Sequence, residues 1–501
     1  MPLPIAARWL VALMLVPASA MAQWTGSNLL EIQNGNYPFI PPENRVDLYS
    51  KLDLVYGTQS LRLGLRLEIN ENSEEQFTYR EVTQRFAEWS DQGLRLRIGH
   101  FNTILGRGLL HRSWELPAVV LDQPGIRSRY GFSRDLDGAL VEGRAGPVEA
   151  LAFGGRPNGG DASPAAEEFG FARYQGELAG TQLAVGLGRD ARVGVAYTRF
   201  ATAGGTRQDE SGSGFLEFDP LRVAGMESVS LPLYVEYAQR NRSFGEWWKL
   251  DTQTATPHAL YASANVLWGP FALSAEWKDY AQFRLGINDP PSLVKEHSVL
   301  ILNRNTHVLD AEDETGFQLE GSWTLPNWGT LVVNQSRSDG DLGPFDARFD
   351  ELYLEAHIAP AGAARWEATL FYDDGKDGFA FVKDRELYGI SATLRATATL
   401  STTLDLGREI STFEPNDEVK DQIVAVSVAR AGWGDVFLLW DTSPGEVEDR
   451  FVSGGLSAKL SERHDARLFV GDRRGGLACT GGTCYQVPPI RGAELRLTSR
   501  F

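Results

Sequence analysis

Seven histidines could act as bases or metal ligands in this 501-residue chain: His100, His111, His258, His297, His307, His357 and His464. None stands with a serine or acid at a spacing that builds a hydrolytic site, so no catalytic residue is assigned and the chain reads as a non-enzyme. Gly212-Ser213-Gly214 lacks the flanks of a nucleophile elbow and reads as loop. With only two cysteines, haem attachment through Cys-x-x-Cys-His and a disulfide-dense scaffold are both excluded. Cys479 and Cys484 flank Thr-Gly-Gly-Thr, a flexible spacer that lets the sulfurs meet, and a disulfide is expected. Asp339-Gly340-Asp341 offers oxygen ligands of the kind Ca²⁺ takes, but without the regular spacing and final acid of an EF-hand. Those two aspartates are the metal candidates, and no other cofactor is expected. Further acids, among them Glu314, Asp373, Asp377, Glu418 and Asp449, read as a solvated rim beside outward loops.

Arginine is the other residue that could do work. Arg107, Arg112, Arg127, Arg129 and Arg134 crowd the segment Thr103 to Asp135, which is long for a structureless connection. Folded into a pore opposite wall acids, they would set a transverse field that narrows and orients a water path. Folded outward, they would bind phosphates of surface lipid. The choice depends on the elements that carry them.

Those elements alternate with period two along almost the whole chain. Leu61, Leu63, Leu65, Leu67 and Ile69 share one face of a strand, and Arg62, Gly64, Arg66 and Glu68 share the other. One face suits hydrocarbon and the other suits water. An arginine at the midplane of a membrane barrel costs about 2 to 4 kcal/mol. That cost puts Arg62, Arg66, Glu68, Arg95 and Arg97 on the lumen side. Short turns and long polar loops take turns, and Trp89, Trp268, Trp277, Trp328, Trp433 and Trp440 fall near strand ends, where membrane interfaces favour them. Counting gives an all-β, antiparallel up-and-down transmembrane barrel of about 24 strands, or 22 if the weakest candidates, near Asn28 and Phe215, are dropped.

Residues 1–22 read as an export signal: Arg8, an apolar stretch from Trp9 to Val16, and Ala20-Met21-Ala22 before the cleavage point. Residues 23–501 then form a single barrel domain, with too few residues over for a separate plug. Beyond the signal no run of 18 apolar residues exists, which excludes a helical membrane protein. At 11% aromatic residues and 52 glycines, a disordered acidic chain is excluded despite the net charge of -18.

The chain ends on Leu495, Leu497, Ser499 and Phe501 at alternate positions. This ending resembles the C-terminal signal of bacterial outer-membrane β-barrels, departing from it at Ser499. The resemblance implies the barrel assembly machinery as a partner, with Leu495, Leu497 and Phe501 as the residues read. GHFNTILGRGLL from Gly99 to Leu110, with GSNLLEIQNGNY from Gly26 to Tyr37, resembles an uncharacterised family of large outer-membrane proteins. That resemblance implies the fold and no activity.

The expected function is a porin-like channel for passive diffusion of small polar solutes or ions. The alternative is an export or assembly conduit for a polymer or partner protein, with a wall-embedded hydrolase or an adhesin behind both. The expected setting is the outer membrane, among lipid and lipopolysaccharide, with both termini periplasmic and no nucleic-acid partner.

Overall fold

A computed structural model describes residues 23–37, 40–123, 128–160, 162–188, 190–202, 208–226, 228–241, 257–297, 299–304, 306–309, 312–342, 345–362, 365–413, 417–444, 449–480 and 483–501. The proposed signal, residues 1–22, lies outside them. The wall begins with β1 (Gln23–Tyr37), β2 (Ile40–Gly57), β3 (Leu61–Glu71), β4 (Tyr79–Asp91), β5 (Leu94–Phe101) and β6 (Leu136–Ala145). It continues with β7 (Val148–Pro157), β8 (Gly176–Gly186), β9 (Ala191–Thr202), β10 (Gln208–Phe218), β11 (Leu233–Asn241) and β12 (His258–Trp268). Next come β13 (Phe271–Ala281), β14 (Asp313–Leu325), β15 (Gly329–Leu342), β16 (Phe349–Ile358), β17 (Trp366–Asp377) and β18 (Val382–Arg395). Last are β19 (Leu400–Phe413), β20 (Asp417–Arg430), β21 (Gly434–Thr442), β22 (Arg450–Ser461), β23 (His464–Arg473) and β24 (Ile490–Arg500).

Each strand pairs antiparallel with the next, and β24 pairs with β1, so 24 strands close a barrel with no free edge. Both weak candidates are strands: Asn28 lies in β1 and Phe215 in β10. No helix among the described residues is long and apolar enough to cross a membrane; the strands, at 8 to 18 residues, form the wall instead. The seam is tied at its end by Gly26 and Phe501, which exchange backbone hydrogen bonds of 2.8 and 3.0 Å. A Cβ at Gly26 would stand 2.7 Å from the Phe501 ring, so glycine there lets the terminal aromatic lie across β1.

The alternation is realised as two faces. Leu61, Leu63, Leu65, Leu96, Ile98, Val195, Leu273, Leu319, Leu406, Val428, Leu438 and Leu495 are exposed on the outside, a belt that only hydrocarbon would cover without cost. At the short-turn rim the exposed rings of Trp24, Trp89, Trp268, Trp323, Trp328, Trp366 and Trp433 form a girdle. Trp277 and Trp440, also exposed, lie further along their strands.

The inner face departs from the simple rule between β6 and β13. There Leu140, Phe153, Leu178, Ala196, Phe200, Phe215, Tyr234 and Tyr261 point inward as well, and they form a buried apolar cluster with Leu105, Leu109 and Leu110. An apolar lumen wall is stable here because a segment of the chain covers it. Those strands carry apolar residues on both faces, which alternation alone does not separate.

Candidate functional site: the lumen and its inward segments

Three connections from the long-loop end fold back into the barrel. The first spans β5 to β6 and divides in two. Its hook, residues 103–113, is a small hairpin of Ile104–Leu105 with His111–Arg112. Its second part pairs Trp114–Gln123 with Ser128–Arg134.

The hook turns at Gly106, whose φ is +55° and whose absent Cβ would collide with the Glu236 carboxylate at 2.3 Å. Glycine therefore serves both the left-handed backbone and the close approach. Glu236 of β11 is fully buried and accepts from the Arg107 backbone N–H (2.8 Å), Tyr234 Oη (2.7 Å) and Ser213 Oγ (2.9 Å). Beneath it the buried His111 bonds through Nδ1 to the Ile287 carbonyl at 2.9 Å. With no acid beside it, burial pushes its pKa down to about 4.

The second hairpin lies on β1 to β4 and β24. Arg129 is buried and meets Glu31 at 2.7 Å, Asp122 at 3.4 Å and Glu494 at 3.6 Å. Burial opposes its charge, but these three acids hold its pKa above the usual arginine value. Arg66 joins Asp53 and Glu115, each at 2.6 Å, and Lys51 Nζ donates to the Pro117 carbonyl at 2.7 Å. Glu68 accepts from the Gly131 backbone N–H at 3.0 Å.

The strap, residues 292–297, 299–304 and 306–309 of the connection from β13 to β14, runs along the opposite wall. Lys278 donates to the Ser292 carbonyl at 2.5 Å and pairs with Glu314. Lys295 meets Glu320 (2.6 Å), His297 meets Glu351 (3.2 Å), and Arg304 meets Asp441 (2.7 Å). Between these, the helical turn Leu300–Asn303 buries Ile301 and Leu302 against Tyr353, Phe371 and Leu387. His307 bonds Asp377 at 2.9 Å and lies 3.5 Å from Glu314. Burial alone would lower its pKa; the two carboxylates outweigh it and raise the value to about 9.

The expected disulfide joins Cys479 to Cys484. It crosses the hairpin of Gly476–Thr480 with Thr483–Val487, and this hairpin reaches the strap, where the Cys479 backbone N–H donates to Asn303 Oδ1 at 2.7 Å. Tyr485 packs edge-on against Phe132 of the first connection at 5.6 Å. A cavity of about 720 Å³ lies where these pieces meet, lined by Asp122, Arg134, Arg284, Asp289, Glu296 and His307 among others. Asp289 faces Arg112 at 3.1 Å, and burial, only partly offset by that guanidinium, raises its pKa.

The short-turn end is different. Glu88 gathers Arg62 (3.4 Å), Arg95 (3.0 Å) and Arg97 (3.2 Å), while Arg95 also reaches Glu142 at 2.7 Å. Arg192 and Glu149 continue the ladder at 2.7 Å. A cavity of about 810 Å³ opens beside Arg95, Glu142, Glu149 and Arg192.

Arg62, Arg66, Glu68, Arg95 and Arg97 thus share the inward face, but they fall in two environments. Arg66 and Glu68 are covered by the second hairpin, whereas the Arg62 side chain is 53% exposed. Of the loop arginines, Arg107, Arg112, Arg129 and Arg134 all belong to inward segments; Arg107 stacks over the Tyr234 ring at 4.9 Å, and Arg134 Nε donates to the Gly159 carbonyl at 2.9 Å. Arg127 lies outside the described residues. Asp339 is exposed between Arg337 (3.4 Å) and Arg348 (3.7 Å), and the side chain of Asp341 lies outside the described residues.

One reading is corrected. Glu314, Asp373 and Asp377 are buried acids that receive or flank the strap, not part of a solvated rim. Sequence reasoning also missed the basic residues that face them. Lys295, His297, Arg304 and His307, spaced along one long connection, match wall acids at inward positions. That complementarity was the available signal.

No protein-family model matches the chain, and no curated protein does. Among solved structures it is similar to the P pilus usher (PapC) translocation pore, at 11% identity and TM-score 0.48 over 96% of this chain and 99% of that one. It is also similar to OccK5 (OpdH) of Pseudomonas aeruginosa, at 14% identity and TM-score 0.41 over 78% of this chain and 99% of that one. The siderophore receptor PirA from the same organism gives 11% identity and TM-score 0.41 over 97% and 81%.

Proposed function

We propose that the protein is an outer-membrane channel for passive diffusion of small polar solutes or ions, through a barrel that its own inward segments narrow. The observation that carries this reading is the inner face. It is charged at the short-turn mouth, and the segments above it leave a cavity of about 720 Å³ whose lining mixes apolar side chains with charged ones of both signs. In this reading the short turns and both termini face the periplasm and the long connections face outward among lipopolysaccharide. Phe501 at the seam is the residue the barrel assembly machinery reads.

An export conduit for a polymer or folded partner fits less well, because the hairpin and strap are fastened by buried ion pairs and the hook by a buried apolar cluster, all of which such cargo would have to break. Any Ca²⁺ binding at Asp339 and Asp341 belongs to the outer rim and not to the path. Single-channel recording on the purified barrel in planar bilayers tests the proposal. Stable conductance steps with measurable ion preference are expected; a folded, inserted barrel that stays silent overturns it.

A further inference from the structure

His297, Glu351 and Asp373 meet inside the barrel, from the strap, β16 and β17 respectively. Their relative exposures are 2%, 1% and 0%, and one donor atom from each lies within 4.8 Å of the others. The two acids come together because Tyr353 pairs with Asp373 across the strands, which places Glu351 diagonally from Asp373 on the same inward face. Arg385 of β18 takes one oxygen of each, Glu351 Oε1 at 2.8 Å and Asp373 Oδ1 at 2.8 Å.

The remaining oxygens, Glu351 Oε2 and Asp373 Oδ2, and the His297 Nδ1 are buried without a hydrogen-bond partner among the described residues. Leaving such groups unmatched is costly, and the two carboxylate oxygens, beside an imidazole whose Nε2 faces Glu351 Oε1 at 3.2 Å, mark a place built for something else to fill. One imidazole with two carboxylates suits zinc or manganese, whereas Ca²⁺ and Mg²⁺ favour oxygen throughout. Arg385 would then orient the carboxylates, and Tyr353, its ring 4.6 Å from that of His297, would fix the imidazole.

We infer that His297, Glu351 and Asp373 bind one divalent transition-metal ion, which pins the strap to the wall. The site is independent of whether the barrel conducts.

The test uses full-length barrel in detergent, stripped with chelator and titrated calorimetrically with zinc. One zinc per barrel is expected. His297→Ala alters only the strap, leaves heat-modifiable migration intact, and should weaken binding by roughly 100-fold, while His297→Cys, which restores a zinc ligand, should recover most of it. Asp373→Asn should resemble His297→Ala where it folds. Zinc should also slow tryptic cleavage after Lys295 and Arg304 in the wild type and not in His297→Ala. Folded wild type that takes up neither zinc nor manganese overturns the inference, as does zinc uptake that His297→Ala leaves unchanged.

Discussion

The hook and the strap both lie inside the barrel, yet one is held by apolar packing and the other by ion pairs. The hook sinks Leu105, Leu109 and Leu110, each 0% exposed, into an apolar wall, and its histidine, His111, is kept neutral by burial. The strap sets Lys295, His297, Arg304 and His307 against carboxylates, and its His307 is kept charged by two of them. The same residue type is driven in opposite directions because only one of the two sites supplies a countercharge. A lumen can therefore be narrowed in two physically distinct ways within one molecule, and the two should fail under different conditions.

The largest effect should come from replacing Leu105, Leu109 and Leu110 together with serine. Each buried leucine lost costs about 2 to 5 kcal/mol, which exceeds what one polar turn contact to Glu236 could retain. The hook should undock, trypsin should cut after Arg107 and Arg112, and conductance should rise. A triple variant as resistant as wild type would mean that the Glu236 clasp, and not the apolar cluster, holds the hook.

Arg304→Ala should come next. It strands Asp441, buried to 1% exposure, without its cation, a change that costs about 3 to 5 kcal/mol. Cleavage after Lys295 should accelerate while the hook stays protected, since the two segments rest on different walls.

The pH responses should run in opposite directions. His307 has a folded pKa of about 9 against an unfolded value of 6.5, so its contribution is fully present below pH 6.5 and is lost as pH rises through 9. His111 has a folded pKa of about 4 against 6.5, so its contribution is present above pH 6.5 and is lost as pH falls through 4. Each displacement corresponds to about 3 kcal/mol. Hydrogen exchange followed by mass spectrometry across this range should find the strap loosening on the alkaline side and the hook on the acid side. Loosening of both on the same side would break the comparison.

The wall was legible in the sequence because a membrane barrel imposes a period of two that one misplaced arginine would betray, as Arg62 and Arg66 do beside Leu61, Leu63 and Leu65. The Cys479 to Cys484 pair was legible for a similar local reason, the short glycine spacer between the sulfurs. The inward segments were not. Whether Arg129 points in or out depends on Glu31 and Glu494, which lie far from it along the chain, and no local spacing records that pairing. Glu314, Asp373 and Asp377 read as rim acids because they sit near strand ends; their burial follows from where the strap lies.

The smallest effect concerns the open mouth. Arg62 and Arg66 share a face, but Arg66 is locked between Asp53 and Glu115 under the hairpin, so reversing it would undock structure as well as change charge. Arg62 is half in solvent, and its contact with Glu88 at 3.4 Å is of the partly exposed kind worth about 0.2 to 1 kcal/mol. Glu88 keeps Arg95 and Arg97 when Arg62 is gone. Arg62→Glu should therefore leave folding and both inward segments intact while moving the reversal potential modestly towards cation preference, and more so at low salt, where exposed charges are least screened. A conducting Arg62→Glu barrel with unaltered preference at low salt would place the selective step away from this mouth, among the buried charges around the strap and the hairpin.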